Sequence, residues 1–321
     1  MKKTFNKVFK KVFLLVLSFM LLTLNFTPNV LASSASCGNS NTNSSLPKLN
    51  NNYPIVMVHG LFGWGNDELY DINYWGGKNS LKDMLNKKGY TVFTPTIGPI
   101  SSNWDRACEL YAYLKGGTVD YGEFHSKKAG HARYGRTYPG VYPQLGTSDA
   151  NGLKKIHLIG HSMGGQTIRV LAQLLENGDP NEINCTKTNI SPLFEGNHHW
   201  IDSITTICTP HDGSQEDEKK QNLEPFVHDF FAAMASSAEI KNSDNPHFDF
   251  QLEQWGLKKQ PNESYDNYYK RVFNSNIWGK TKDLSIWDLS LEGAKELNSW
   301  VKAQDDKLTT TTPSGGLFSA L

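Results

Sequence analysis

The residues Gly160-His161-Ser162-Met163-Gly164 form a G-x-S-x-G pattern, and they carry the first chemical signal in the chain. A serine hydroxyl becomes a useful nucleophile when a tight strand-to-helix turn lifts it above a sheet. The turn sets it at the amino end of a helix, where backbone N–H groups and the dipole face a developing oxyanion. Such a turn crowds the backbone, so the neighbours two residues either side must lack Cβ. In a chain with 27 glycines the same pattern also describes a glycine-rich turn with an incidental serine. Context separates the two. The apolar run 156–159 leads into the motif, and Ile168, Leu171, Leu174 and Leu175 form an amphipathic stripe after it, so strand, turn and helix are predicted in that order. A second glycine-lined turn, His59-Gly60-Leu61-Phe62-Gly63, closes the apolar run 55–58. The backbone N–H groups of Leu61 and Met163 are then the expected oxyanion-hole donors. His59 reads as a packing or hydrogen-bonding histidine beneath that turn.

The elements that position these residues follow from periodicity. Continuous apolar runs predict strands at 55–58, 90–93, 155–159 and 201–208, and helical character spans 80–88, 102–114, 164–177, 223–237, 263–273 and 291–302. Strands alternating with helices predict an α/β fold with a mainly parallel sheet and helices on both faces. Residues 117–150 show no clean period and predict a long ordered loop or insertion. Phe226, Phe230, Phe231 and Met234 make an apolar helical stripe within 223–237. No internal repeat is found.

With 321 residues the chain can bury a sizeable core, and 38% hydrophobic and 12% aromatic content excludes wholesale disorder. Residues 1–32 read as a secretory signal peptide. Five lysines precede the thirteen-residue apolar run VFLLVLSFMLLTL, which is too short to span a bilayer, and Val30-Leu31-Ala32 offers a cleavage site. A secreted, extracellular protein with no permanent membrane span is therefore expected. The Ser/Asn-rich stretch 33–52 is expected to be a disordered leader. Beyond residue 32 the chain holds 27 basic against 32 acidic side chains, which gives no electrostatic case for nucleic acid. Four cysteines make no disulfide framework, and Cys108 and Cys208 read as free thiols in a buried helix and a buried strand.

Longer stretches match a known family: PIVMVHGLFGWG (54–65), YWGG (74–77), GPISSNWDRACELYAYLKGGTVDYG (98–122), HARYGRTYPG (131–140), GHSMGGQT (160–167), SPLFEG (191–196), TPHDG (209–213) and QWGLKKQPNESYDNYYKR (254–271). The chain resembles the secreted zinc-containing lipases of the bacillus and staphylococcus type and the related clostridial esterases, over nearly all of 53–302. The resemblance implies an α/β-hydrolase fold, ester hydrolysis at a lipid–water interface and a structural zinc. It carries the zinc ligands onto Asp105, His125, His131 and, in a more variable stretch, Asp283. By spacing alone these residues say less. Asp105 three residues after Ser102 is equally a helix-capping pair, and His125 and His131 are six apart, off one helical face. The helix at 223–237 corresponds to the family's lid, and His211 in TPHDG looks structural.

The family's acid and histidine lie after the segment matching Trp300-Val301-Lys302, where this chain departs into AQDDKLTTTTPSGGLFSAL. The sequence therefore suggests a hydrolase domain at 53–302 that is C-terminally truncated, lacking the final strands and the calcium-binding segment. It also suggests a divergent tail at 303–321 and an open apolar sheet edge. His228 and His247 are the late histidines without an assigned role. The expected function is a serine ester hydrolase of the triacylglycerol lipase/carboxylesterase class acting through Ser162. The alternative is an inactive fragment that acts as a zinc-stabilised lipid- or ester-binding module.

Overall fold

A central sheet of five parallel strands organises the protein, in the order β2-β1-β7-β8-β9. The computed structural model describes residues 53–66, 68, 73–185, 189–213, 250–258, 260–264, 267–268, 270–271, 274–278 and 281–302, and the backbone of 308–311. The strands are β1 (Ile55–Val58), β2 (Val92–Phe93), β7 (Ile156–His161), β8 (Ile201–Ile207) and β9 (Leu308–Thr311). In β7 alternate residues are buried, so Ile156 and Leu158 face one helical layer with Val56 and Val58 of β1. That layer is α2 (Asn103–Lys115) and α4 (Met163–Asn177), whose Leu110, Leu114, Ile168, Leu171 and Leu175 complete the core. The remaining helices are α1 (Leu81–Lys87), α3 (Glu123–Ala129), α5 (Pro180–Cys185), α6 (Ser285–Asp288) and α7 (Leu291–Trp300).

Helix α2 begins where the sequence expects it. The Ser102 hydroxyl accepts from Asp105 N at 3.1 Å, satisfying one orphan donor of the first turn. A second apolar cluster gathers Ile100, Phe250, Leu252, Leu257, Trp278 and Leu284, and Leu61, Phe62 and Trp64 of the glycine turn pack against it.

The structure adds detail at three places. Residues 117–150, expected to be a long ordered loop or insertion, carry short regular elements. β3 (Gly117–Asp120) leads into α3, and β4 (Tyr134–Tyr138) returns antiparallel to β3; a second antiparallel pair follows, β5 (Ser148–Asp149) with β6 (Gly152–Leu153), the latter just past the segment. Each of these elements is two to seven residues long, too short to establish a period. The divergent tail contributes a strand. Residues 308–311 pair with β8 in parallel, Ile204 with Leu308 through Ile207 with Thr311, so β8 is not the open edge. The β-branched threonines Thr309 to Thr311 were themselves a strand signal. Finally, Cys208 lies just past β8, half-buried and in the left-handed region at φ 53°, rather than buried within the strand.

Cys108 is a buried free thiol and Cys185 a half-buried one. The helix expected at 223–237 lies outside the described residues, as do Cys37, His228 and His247. Among the described residues no helix is long and apolar enough to cross a membrane.

Candidate active site and metal centre

Strand β7 ends on His161; Ser162 follows with its backbone at φ 54°, ψ −129°, and α4 starts at the next residue. A non-glycine residue in this region costs on the order of 1–3 kcal/mol, so its surroundings must hold it there. They do so on both sides: Ser162 N donates to Ile207 O of β8 at 2.9 Å, and Ser162 O accepts from Gly165 N at 3.0 Å. The flanking glycines are required by close approach. A Cβ on Gly160 would lie 2.5 Å from the Gly164 and Gly165 backbone, and one on Gly164 would strike the carbonyl oxygens of Val58 and His59. The half-buried Ser162 makes no capping hydrogen bond through its hydroxyl, and no described histidine is bonded to it.

The glycine turn after β1 runs beside this serine, and it is tied down at almost every atom. Gly60 N donates to Tyr74 Oη at 3.0 Å, Phe62 N to Pro99 O at 2.9 Å, and Gly63 N to Gly60 O at 3.1 Å. Neither the Leu61 N–H nor the Met163 N–H is taken by a described acceptor. His59 is fully buried, and burial, reinforced by Arg106, lowers its pKa to about 3, so it stays neutral. Its Nδ1 lies 2.9 Å from Gly60 O, which can only accept, so the proton sits on Nδ1. Tyr74 Oη also lies 2.5 Å from His161 Nδ1. Tyr74 Oη thus joins the Gly60 N–H to the His161 ring. Burial raises the Tyr74 pKa to about 12, so the phenol keeps its proton. The YWGG stretch contained Tyr74, but nothing in its spacing announced this bridge between the two turns.

His211 is occupied on both ring nitrogens, by Arg169 Nη1 at 3.2 Å and Thr206 Oγ1 at 3.1 Å. A guanidinium only donates, so Nδ1 accepts and Nε2 carries the proton. Burial, together with Arg169, lowers this pKa to about 4.

Asp105, His125, His131 and Asp283 come together, with one ligand atom from each lying within 4.8 Å of all the others. His125 Nε2 is 3.4 Å from Asp105 Oδ1 and 3.1 Å from Asp283 Oδ1. His131 Nε2 is 3.6 Å from Asp105 Oδ1 and 3.0 Å from Asp283 Oδ2. A tetrahedral ion with ligand bonds of about 2.0–2.1 Å has edges of about 3.3 Å, so these separations suit a common centre. Asp105 Oδ1, both Nε2 atoms and Asp283 Oδ2 are buried yet make no well-formed hydrogen bond, as expected of atoms aimed at a shared point. His131 Nδ1 lies 2.8 Å from Ala132 O, which fixes its proton there and leaves the Nε2 lone pair facing the cluster. Burial opposes charge on His125, but the facing Asp283 and Asp105 carboxylates outweigh it and push its pKa up to about 10. A cation would relieve the same charge imbalance.

The cluster has outer supports that the sequence did not single out. Gln254 Nε2 donates to Asp105 Oδ2 at 3.0 Å, Trp104 stacks on His125 at 4.8 Å, and Trp255 packs edge-on to His131 at 4.8 Å. The fully buried Glu182 accepts from Phe124 N at 2.9 Å and His125 N at 2.7 Å, capping α3, which has only Gly122 at its N-cap.

The chain is similar to known lipases over most of its length. The family model described as "Lipase-like, C-terminal domain" matches residues 51–316. Lipase 1 of Staphylococcus aureus is 47% identical over 255 residues, which cover 77% of this chain and 36% of the staphylococcal one. Among solved structures, lipase 1 from Pelosinus fermentans superposes with a TM-score of 0.70 at 51% identity, covering 80% of this chain and 66% of that one. EstA from Clostridium botulinum superposes at 0.68 with 55% identity, covering 79% and 58%. The chain thus spans about a third of the length of the curated relatives it matches.

Proposed function

The chain belongs to the lipase-like C-terminal domain family, and from that premise we propose that it is a serine ester hydrolase of the triacylglycerol lipase or carboxylesterase class. The observation that carries this reading is Ser162, held in a left-handed backbone conformation between β7 and α4 with an unshared hydroxyl. In the proposed reaction, Ser162 Oγ attacks the ester carbonyl and its proton passes to a general base. The carbonyl oxygen becomes an oxyanion that accepts from the Leu61 and Met163 N–H groups. Collapse expels the alcohol and leaves an acyl-enzyme, which water then hydrolyses. The base is not among the described contacts of Ser162, and His228 and His247 remain candidates outside the described residues.

Asp105, His125, His131 and Asp283 are the proposed zinc ligands. Two imidazoles and two carboxylates fill a tetrahedral site, so the ion would serve as a crosslink between α2, α3 and the segment before α6. Esters at a lipid–water interface are the proposed substrates and an extracellular setting the proposed location, supported by the amino-terminal pattern of residues 1–32 and by the lipases among the relatives.

The test is hydrolysis of a short-chain nitrophenyl ester by the purified chain and by Ser162→Ala, with folding checked by circular dichroism. The alanine variant is expected to lose at least about a thousand-fold in rate. Equal rates from two folded proteins would defeat the proposal.

A further inference from the structure

Arg106 is fully buried, and its guanidinium makes three hydrogen bonds to neutral acceptors: Nε to Thr167 Oγ1 at 2.9 Å, Nη1 to Gly98 O at 2.6 Å and Nη2 to His59 O at 2.5 Å. Among the described residues no carboxylate lies within ion-pair distance of it. Burial lowers its pKa to about 10, although Glu109, Tyr74 and Asp288 favour its charge without bonding to it. Its direct holds are the three neutral acceptors, so stability alone is a poor account of its presence.

The three acceptors have one thing in common. His59 opens the glycine turn that carries the Leu61 N–H. Gly98 precedes Pro99, whose carbonyl holds Phe62 N at 2.9 Å in that same turn. Thr167 stands one turn along the helix that Met163 begins, with its hydroxyl 3.2 Å from Met163 O. The two unengaged N–H groups beside Ser162 belong to separate elements, the turn after β1 and the start of α4. Their separation depends on what crosslinks those elements. Glu109, one turn further along α2, holds the other side of the Gly98 peptide by accepting from Gly98 N at 2.5 Å.

We infer that Arg106 is a positioning residue for the oxyanion hole: its forked guanidinium fastens the turn bearing Leu61 to the helix begun by Met163. The inference gains its catalytic meaning from the serine-hydrolase reading above, while the crosslink itself stands on the geometry. The anchoring helix is the one whose preceding residue, Asp105, enters the metal cluster. One helix therefore serves both sites. A lysine at this position keeps the charge but has a single nitrogen, and it cannot reach three acceptors in three directions.

The experiment uses the full chain purified with zinc, as wild type, Arg106→Lys, Arg106→Met and Thr167→Val, each checked by circular dichroism. Two quantities are read: hydrogen exchange of peptides covering 57–65 and 160–170, and covalent labelling of Ser162 by a fluorophosphonate, with saturation kinetics separating reagent binding from bond formation. The expected result for both Arg106 variants is bond formation slowed about 10²-fold, the scale of losing an oxyanion donor. Reagent binding should stay within about twofold of wild type, and exchange should accelerate in 57–65 more than elsewhere. Thr167→Val, which removes one of the three acceptors, should slow bond formation about tenfold. Folded Arg106 variants with wild-type labelling and wild-type protection of 57–65 would overturn the inference. Should the Arg106 variants not fold, Thr167→Val decides: unchanged labelling and exchange would overturn it. A wild-type chain that is never labelled at Ser162 would sink the serine reading instead. The exchange of 57–65 would then decide the role of Arg106 alone.

Discussion

At the scale of single residues, the site rests on close approaches that leave no slack. Gly164→Ala would drive a methyl group into the carbonyls ending β1, so it should destabilise the fold by about 1–3 kcal/mol. Thermal unfolding should show this as a lowered Tm, and ester hydrolysis should fall with it because the elbow must shift. Glu109 offers a test of pH dependence. Burial raises its pKa from 4.5 to about 8, against the hydrogen bonds from Gly98 N and Tyr121 Oη. The folded state therefore binds this proton more tightly than the unfolded chain does. Its contribution is complete below about pH 4.5 and is lost as pH rises towards about 8. Glu109→Gln, which keeps an uncharged group there, should flatten the fall of Tm across that window. An identical slope in both proteins would contradict the raised pKa.

At the scale of elements, α2 does two jobs from one well-defined start. Ser102→Ala removes the hydroxyl that caps it and should cost about 1 kcal/mol. The same change loosens the turn that presents Asp105, so metal retention measured by elemental analysis after dialysis should fall as well. The pairing of β9 with β8 makes a separate prediction. A chain ended at Lys302 would leave the parallel edge of β8 unpaired, and such an edge recruits other chains. Light scattering on heating should rise earlier than for the full chain; an equal onset would mean that β9 contributes no protection.

At the scale of the whole molecule, the metal cluster joins parts of the chain that are far apart in sequence: α2, the segment around α3, and the approach to α6. On the proposed zinc reading, stripping the ion with a chelator should lower Tm by roughly 5–10 °C. His125→Ala and Asp283→Ala should each reproduce that loss, and the double variant should lose little more, because all three act on the same ion. Much of this was legible in the sequence because it is local. The strand–turn–helix around Ser162 is encoded by apolar runs and by glycines whose spacing the turn itself demands. Ser102 and Asp105 announced the start of α2 for the same reason. The short elements of 117–150 were not legible, since two to seven residues cannot display a period, and Leu308–Thr311 was hidden by its unfamiliar surroundings. The resemblance carried a ligand onto Asp283 only through a variable stretch, outside the long matching ones. Only the fold shows it arriving beside His125 and His131, 158 and 152 positions away in the chain. The sequence by itself determined the strand–turn–helix around Ser162, its glycines and the α/β alternation, because each depends on neighbours within a few residues. The tertiary structure alone decided that Tyr74 bridges the two turns and that Arg106 ties them together from behind. Those roles are set by directions in space between distant segments, and residue type and spacing carry no record of direction.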